Sequence, residues 1–373
     1  MHLLDLPNEL FLIITEFLSD PSPDPSSVNS FLLTNRRLAF LLTPWLHKLA
    51  LLDKPDGTPA LHWAASNNYT ALSALLLTKI TPEILARKDL AGQTALHVAL
   101  EQSSPNGDYA LITSLIHHGI PVNTQNATGE TALQLAVSKG QEVLVELLLA
   151  KGADTTPCDA KGQTVLHVAT RNWGNGGSTA VAAMLLDAGV DIDARNNLGE
   201  TALHKAVLFA HTSMVRLLLS RGASTSIADN WWGGTPLHWA ADMGKHDIGK
   251  LLLAAGAEVS ARDVFKGGTP FHWAAKRPTE AMLRLLLAKG ADVDLVDNSG
   301  KKAVEWTTRQ DRRRGPREER AIAELLRRGA TSVPECEDRE SWNMYGSVGG
   351  GQSNTYTLAA LYCLQYQNVR SSG

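Results

Sequence analysis

Gly199-Glu-Thr-Ala-Leu-His-Lys-Ala206 and Gly233-Gly-Thr-Pro-Leu-His-Trp-Ala240 are two copies of one phrase. Eight glycines open such a phrase at intervals of 33 to 37 residues: Gly57, Gly92, Gly129, Gly162, Gly199, Gly233, Gly267 and Gly300. A nearly constant period in this range is typical of a stack of similar supersecondary units. Such stacks bind other macromolecules through an extended surface. The repeat therefore favours a binding protein over an enzyme.

One period predicts two short helices followed by a projecting loop. Thr201 can cap a first helix in which apolar residues such as Leu203 and Val207 recur at helical spacing. A second helix follows at Met214–Leu219, and Gly222 supplies the left-handed residue that ends it. An extended stretch then leads to the next glycine. Neither helix can bury its apolar face alone, so each unit needs its neighbours.

This pattern resembles the ankyrin repeat over residues 53–331. The resemblance implies an all-α solenoid of about eight repeats, each a helix-turn-helix pair with a β-hairpin finger. The third repeat has Gln134 where histidine is usual, and the eighth, which begins at Gly300, has lost the phrase. We interpret the eighth as a degenerate terminal repeat, because a polar end unit lets a solenoid stop without exposing an apolar face.

Histidine recurs in one slot of the phrase, which raises the question of catalysis. Equivalent positions in successive repeats lie about one helix diameter, roughly 10 Å, apart. Proton transfer needs contact at about 3 Å and zinc ligation about 2.1 Å. The slot therefore cannot assemble a reactive site, and we expect each side chain to fix its turn by local hydrogen bonds. The slot holds His62, His97, His167, His204, His238 and His272.

Composition and charge limit which partners and which cellular compartment we expect. The net charge of −3 gives no general reason to expect nucleic acid or an anionic membrane as the partner. Cys158, Cys336 and Cys363 are scattered without a Cys-x-x-Cys pair, which favours neither disulfides nor zinc and fits a reducing compartment. No apolar run is long enough to span a membrane, and residues 1–18 lack the features of a signal peptide. We expect a monomeric, non-catalytic chain in the cytoplasm or nucleus, without cofactor or metal.

Residues 1–50 do not follow the sequence pattern of the repeats. Leu6-Pro-Asn-Glu-Leu10 begins a helix, since proline suits the first helical position and glutamate favours the positive end of the helix dipole. An apolar stripe continues through Ile14 and Leu18, and a second helical run covers Val28–Leu38. This segment is similar to an F-box. Its pairing with ankyrin repeats resembles a family of F-box/ankyrin proteins common in filamentous fungi.

The F-box resemblance implies docking on the Skp-type adaptor of a cullin-RING ubiquitin ligase. The positions that match the motif, and so would contribute to that contact, are Leu6, Pro7, Leu10, Ile14, Leu18 and Leu32. The proline-bearing loop between the two helical runs is longer than usual for the motif. The alternative is a helical hairpin that only caps the first ankyrin repeat.

Two fingertips differ from the rest and predict a partner site. In five fingers Asp or Asn stands three residues before the repeat glycine, whereas Asp229 and Asp263 stand four residues before it. These two tips are one residue longer and carry Trp231-Trp232 and Phe265-Lys266. Adjacent fingers would bring these aromatic residues together, and exposed aromatic clusters are typical of binding hot spots. The alternative is that each enlarged tip folds its rings onto the neighbouring finger. Trp63, Trp239 and Trp273, on the first helices, are expected to pack between repeats.

The sequence thus supports two functional hypotheses. In the first, the chain is a substrate receptor whose N-terminal helices hold the ligase adaptor and whose repeats hold a client protein of unknown identity. In the second, it is an ankyrin scaffold with no role in ubiquitin transfer. Residues 332–373 lose the repeat pattern, and we expect a disordered tail there.

Overall fold

The computed structural model describes residues 60–68, 70–77, 80–103, 109–171, 179–277 and 279–306. The structure divides into two compact units, one ending at Asn197 and the other beginning at Leu198. The predicted F-box-like segment, residues 1–50, and the predicted tail, residues 332–373, lie outside the described residues. The prediction of eight repeats stays a prediction, because parts of the first and last repeats lie outside them too.

The described part of the first unit contains short helices, most of which pack in pairs. They are α1 (Ala60–Ser66), α2 (Thr70–Leu77), α3 (Pro82–Leu85), α4 (Ala95–Gln102), α5 (Ala110–His117), α6 (Ala132–Ser138), α7 (Glu142–Ala150), α8 (Val165–Ala169) and α9 (Thr179–Asp187). The pairs are α1 with α2, α4 with α5, α6 with α7 and α8 with α9. The first helices of the pairs, α1, α4, α6 and α8, also contact one another in series.

The second unit repeats this arrangement. Its described helices are α10 (Ala202–Leu208), α11 (Thr212–Ser220), α12 (Pro236–Asp242), α13 (His246–Ala254), α14 (Pro270–Lys276) and α15 (Glu280–Ala288), followed by a 3-10 helix, Ala303–Trp306. The first helices α10, α12 and α14 contact in series, and the 3-10 helix contacts α14. The second helices α11, α13 and α15 do the same. The predicted all-α repeat of stacked helix pairs is confirmed within each unit.

Helix α11 shows why the pairs stack. It buries Met214, Val215 and Leu218, which lie on one face, and exposes Arg216 on the other. Each buried apolar side chain of this size contributes roughly 1.5–3 kcal/mol relative to exposure. The helix ends where Gly222 adopts the left-handed conformation, with φ of 86°, as predicted. None of the helices in the described residues is both long and apolar enough to cross a membrane.

The fingers are tighter than the β-hairpins predicted from the resemblance. Among the described residues the extended arms form only isolated bridges, Gln125 with Thr131 and Val296 with Lys302, and no ladder. The arms are short because a tight turn, closed by an Asp or Asn side chain, follows each arm directly. In the finger at Asp89, the carboxylate accepts hydrogen bonds from the backbone N–H groups of Ala91 (2.9 Å) and Gln93 (2.8 Å). The side-chain hydrogen bonds of one aspartate therefore close the finger in place of a ladder of backbone bonds.

The last described repeat keeps more of the pattern than the sequence suggested. Trp306 stands six residues after Gly300, as Trp273 does after Gly267. Its ring packs edge-on against His272 at 5.3 Å, just as Trp273 packs against His238 at 5.3 Å. Glu305 takes the place of histidine, and its carboxylate accepts from the Lys302 N–H at 2.9 Å. A single turn of 3-10 helix thus covers α14.

The recurring histidines are buried and link successive repeats. In its own repeat, His238 Nδ1 accepts from the backbone N–H of Thr235 at 3.1 Å, as the predicted local role requires. This donor assigns the proton to Nε2, which donates to the Gly268 carbonyl of the next repeat at 3.1 Å. The inter-repeat bond was not predicted. Equivalent pairs of bonds are made by His97, His204 and His272, and by the amide of Gln134.

Burial holds these rings in the neutral form. Desolvation lowers the pKa of His204 and of His238 to about 4, partly opposed by neighbouring carboxylates and carbonyls. An unfolded histidine has a pKa near 6.5. Between these two pKa values the folded state therefore binds fewer protons than the unfolded state. The stability contributed by the neutral histidines is fully present above about pH 6.5 and is lost as the pH falls towards 4.

Replacing both histidines with glutamine should flatten this acid response. His204→Gln with His238→Gln keeps both hydrogen bonds, as Gln134 shows, but removes two groups that must be protonated in acid. The loss of unfolding free energy between pH 7 and pH 4 should shrink by on the order of 3 kcal/mol per histidine. Urea denaturation at each pH measures it. His117→Gln on the exposed end of α5 is the control, and an unchanged acid slope in the double variant would contradict the assignment.

Candidate partner-binding surface

Two neighbouring fingertips of the second unit are wider than the others. The Asp229 N–H donates to the carbonyl of Gly234, five residues on, at 3.0 Å, and Asp263 does the same to Gly268 at 2.8 Å. Asp297 closes its finger on Lys301, only four residues on, at 2.9 Å. The extra residue predicted from the sequence is therefore accommodated at the tip itself.

A buried carboxylate organises each wide tip. Asp229 Oδ1 accepts from the backbone N–H groups of Trp231 (2.7 Å) and Trp232 (2.6 Å). Its Oδ2 accepts from the Gly234 N–H (3.0 Å) and from the indole N–H of Trp239 (3.0 Å) on α12. Each finger is thus tied to the first helix that follows it in the chain.

Asp263 repeats this arrangement in the next finger. Its Oδ1 accepts from the Lys266 N–H at 2.6 Å, and its Oδ2 from the Gly268 N–H at 3.1 Å and from Trp273 Nε1 at 2.9 Å. Asp297 accepts from Trp306 Nε1 at 2.8 Å in the same way. This repeated carboxylate–indole bond holds three tryptophan rings in fixed positions beneath the fingertips.

Glycine makes room for two of these rings. A Cβ atom at Gly234 would lie 2.9 Å from the Trp273 ring, and one at Gly268 would lie 2.6 Å from the Trp306 ring. Both distances are shorter than real Cβ contacts. The second glycine of each pair, Gly234 in Gly233-Gly234 and Gly268 in Gly267-Gly268, therefore leaves space for the tryptophan ring of the following repeat.

The two tips and the rings beneath them line one cleft of about 210 Å³. We call it the aromatic cleft. Trp231 is 63% exposed and Phe265 58% exposed, while Trp232 is half-buried and lies edge-on to Trp231 at 6.5 Å. The remaining lining residues come from the tips and first helices: Asp263, Lys266, Trp273, Lys276 and Trp306.

The structure brings all four predicted partner-site residues to this cleft. Adjacent tips are joined by a backbone bond, in which the Val264 N–H donates to the Gly233 carbonyl at 3.0 Å. Trp231 and Phe265 are not folded away against the neighbouring finger. That they bind a partner stays a prediction.

Sequence reasoning did not place four of the lining residues in the cleft: Asp263, Trp273, Lys276 and Trp306. Trp273 is buried, as expected of a residue that packs between repeats, but it also forms part of the cleft wall. Lys276 and Trp306 had no assigned role. The recurrence of tryptophan six residues after Gly233, Gly267 and Gly300 was the signal that would have found Trp306.

Two lysine ammonium groups stand over tryptophan rings at the cleft. Lys266 Nζ lies 5.5 Å from the centroid of Trp306, and Lys276 Nζ lies 5.8 Å from that of Trp232. Both distances are within the range of cation–π attraction. Lys276 Nζ also lies 3.8 Å from Asp242 Oδ1. The carboxylates nearby are buried, whereas both lysines reach solvent.

Other predicted sites have different outcomes. The proposed adaptor contacts, Leu6, Pro7, Leu10, Ile14, Leu18 and Leu32, lie outside the described residues. Trp63 and Trp239 are buried on their first helices, as predicted. Within the described ranges, no cluster of three or more histidine, cysteine or acidic side chains could hold a metal ion.

Comparison with known families identifies the repeat. A family model described as ankyrin repeats (3 copies) matches residues 100–196 and 175–263, and one described as ankyrin repeat matches residues 266–298. Together they cover more than half of the chain, so the chain belongs to the ankyrin-repeat family. Neither match extends into residues 1–50.

Each individual relative matches less than half of this chain. The chain is 32% identical over 170 residues to the B-cell lymphoma 3 protein homolog of Mus musculus, covering 45% of this chain and 36% of that protein. It is 31% identical over 163 residues to the intracellular phospholipase A2 of Caenorhabditis elegans, covering 43% and 15%. It is 29% identical over 188 residues to the E3 ubiquitin-protein ligase KEG of Arabidopsis thaliana, covering 47% and 11%. The chain spans about a third or less of the length of these relatives.

Removing the charge of Asp263 should weaken the fold of the second unit. In Asp263→Asn one side-chain atom becomes an N–H donor facing another donor, so a buried N–H loses its acceptor at a cost of roughly 1–3 kcal/mol. Urea denaturation followed by tryptophan fluorescence measures the loss. The control is Asp247→Asn, at a carboxylate on the exposed side of α13, which should change stability by less than about 0.5 kcal/mol. Equal stabilities would show that the carboxylate does not organise the tip.

Proposed function

We propose that this chain is a non-catalytic substrate receptor. Its ankyrin repeats bind a client protein at the aromatic cleft, and its N-terminal segment docks the Skp-type adaptor of a cullin-RING ubiquitin ligase. The ankyrin repeats imply binding to proteins. The role fits a protein of the cytoplasm or nucleus.

The exposure of Trp231 and Phe265 side by side supports client binding most directly. Large rings on a solvent-facing surface cost free energy unless a partner covers them, and tryptophan is enriched among the residues that dominate binding energy. Here both tips are held by buried carboxylates and by a backbone bond between the fingers. A surface ordered in advance loses little conformational entropy on binding.

The ubiquitin role depends on the sequence of residues 1–50. The order Leu6-Pro-Asn-Glu-Leu10, followed by Ile14, Leu18 and a second helical run with Leu32, is what an adaptor-docking hairpin would require. Such a receptor performs no chemistry. It raises the effective concentration of client lysines near the charged ubiquitin-transfer enzyme.

A scaffold without a ligase role is the second candidate. It is favoured by the family matches, which begin at residue 100 and leave residues 1–50 without a match. In that case the N-terminal helices would cap the repeats. Both candidates use the aromatic cleft for the client, so they differ only in the N-terminal contact.

Co-precipitation from the native cell separates the two candidates. Wild-type chain should recover adaptor and cullin, and Leu6→Asp with Leu10→Asp should lose both, because two charges would enter an apolar contact. The same variant should still recover the client. If the wild-type chain does not recover adaptor and cullin, the ligase role is wrong and the scaffold function is supported.

Client capture should depend on the exposed rings. Trp231→Ala with Phe265→Ala should reduce capture at least tenfold, because hot-spot residues each contribute about 2 kcal/mol or more. Proximity labelling with proteasome inhibition measures it, alongside the melting temperature. Leu90→Ala is the matched control, since Leu90 is an 89% exposed apolar residue on a normal finger. Undiminished labelling by the double variant would remove the cleft from client binding.

A further inference from the structure

We infer that the aromatic cleft recognises a client segment in which an acidic side chain stands beside a large apolar one. This inference rests on the proposed function, because it names the chemistry of the client that the same surface binds. It is carried by the placement of two solvent-accessible lysines over the rings of an apolar cleft.

The cleft has room for one large apolar side chain. An enclosed apolar cavity of about 150 Å³ takes benzene, and the aromatic cleft holds about 210 Å³. Its walls are the rings of Trp231, Phe265, Trp273 and Trp306. An inserted phenylalanine or leucine would be surrounded by aromatic faces and edges, which is the environment that such a side chain prefers.

The accessible charge at the cleft is positive. Asp263 is buried beneath the fingertip, and its two oxygens are occupied by three N–H donors. Asp242 is 3% exposed, and burial raises the pKa of its carboxyl group. Lys266 is exposed, and the Lys276 side chain is 46% exposed. A partner that enters the cleft therefore meets ammonium groups and not carboxylates.

These lysines also argue against a cationic ligand. Several tryptophans around one cleft would otherwise suit a quaternary ammonium group. The faces of Trp306 and Trp232 are already used by Lys266 and Lys276. A second cation would be repelled, whereas a carboxylate can accept hydrogen bonds from either ammonium group without displacing it from its ring.

A further donor is available at the same tip. The indole N–H of Trp232 is buried and has no acceptor among the described residues. A half-buried ring can shift to offer this donor to an incoming acceptor. Nucleic acid could also stack on these rings, but it needs a basic groove that follows many phosphates. Two lysines on a chain of net charge −3 favour a protein segment.

Selection from short random peptides displayed on phage tests the inference. Full-length chain is the bait, and Trp231→Ala with Phe265→Ala is the counter-bait. Peptides enriched on the wild-type chain should carry Asp or Glu within two positions of Phe, Trp or Leu. A synthetic, fluorescein-labelled copy of the best peptide then gives affinities by fluorescence anisotropy.

Charge reversal in the cleft should weaken this peptide. Lys266→Glu should lower its affinity at least about tenfold, since a hydrogen bond to a charged group is lost and repulsion replaces it. Lys276→Gln should lower it less, and higher salt should weaken wild-type binding. Lys289→Glu, at an exposed lysine beyond α15, is the matched control and should bind as the wild type does.

Several results would overturn the inference. They are enriched peptides without acidic residues, equal binding by Lys266→Glu and the Lys289→Glu control, no enrichment over the counter-bait, or tighter binding of a single-stranded oligonucleotide than of any peptide. Proximity labelling separates this failure from that of the proposed function. If labelling needs Trp231 and Phe265 while the selected peptides show no acidic preference, only the client chemistry is wrong.

Discussion

The structure depends on a buried polar side chain that its own repeat can satisfy only in part. The first helices of the pairs, with five to eight residues, are marginal alone, and their first turns hold a buried histidine or glutamine. One side of that group bonds the threonine at the start of its helix, and the other bonds a carbonyl of the next repeat, as His272 does with Lys301 at 3.2 Å. A buried donor without an acceptor is costly, so each repeat within a unit is complete only when the next is in place. The recurrence of this polar slot in successive repeats follows from that requirement.

This fixed frame leaves the fingertips free to vary. An additional residue after Asp229 or Asp263 is accommodated in the tip, because the closing bond shifts by one residue and the carboxylate still accepts from several N–H donors. The same carboxylates acquire a second role by accepting from Trp239 and Trp273. The side-chain-free Gly234 leaves room for the following ring. The aromatic cleft is therefore a consequence of three coordinated changes in adjacent repeats.

Much of the fold could be predicted from the sequence, since periodic apolar residues, threonine caps and glycine stops act locally. The adjacency of the Trp231 and Phe265 tips was also predictable, because equivalent positions in stacked repeats are neighbours. The bond from Trp306 to Asp297 was not, because nothing in the sequence states which donor a buried carboxylate selects. The hairpin fingers were overestimated because an Asx-closed turn needs no ladder. The adaptor contact at residues 1–50 remains a prediction.

The charge that a partner meets is set by burial and not by composition. The chain carries three more acidic than basic groups overall, yet at the aromatic cleft the carboxylates are used inside the fold and the ammonium groups remain outside. A carboxylate buried in a tip is stabilised by the several charge-assisted N–H bonds that it accepts, while a lysine at the surface keeps its charged end accessible to water. The hydrogen bonds that hold the fingertips therefore also make the accessible charge of the cleft positive. The stack uses a histidine or glutamine in the buried slot, as Gln134 shows, whereas it does not need tryptophan or lysine at the fingertips.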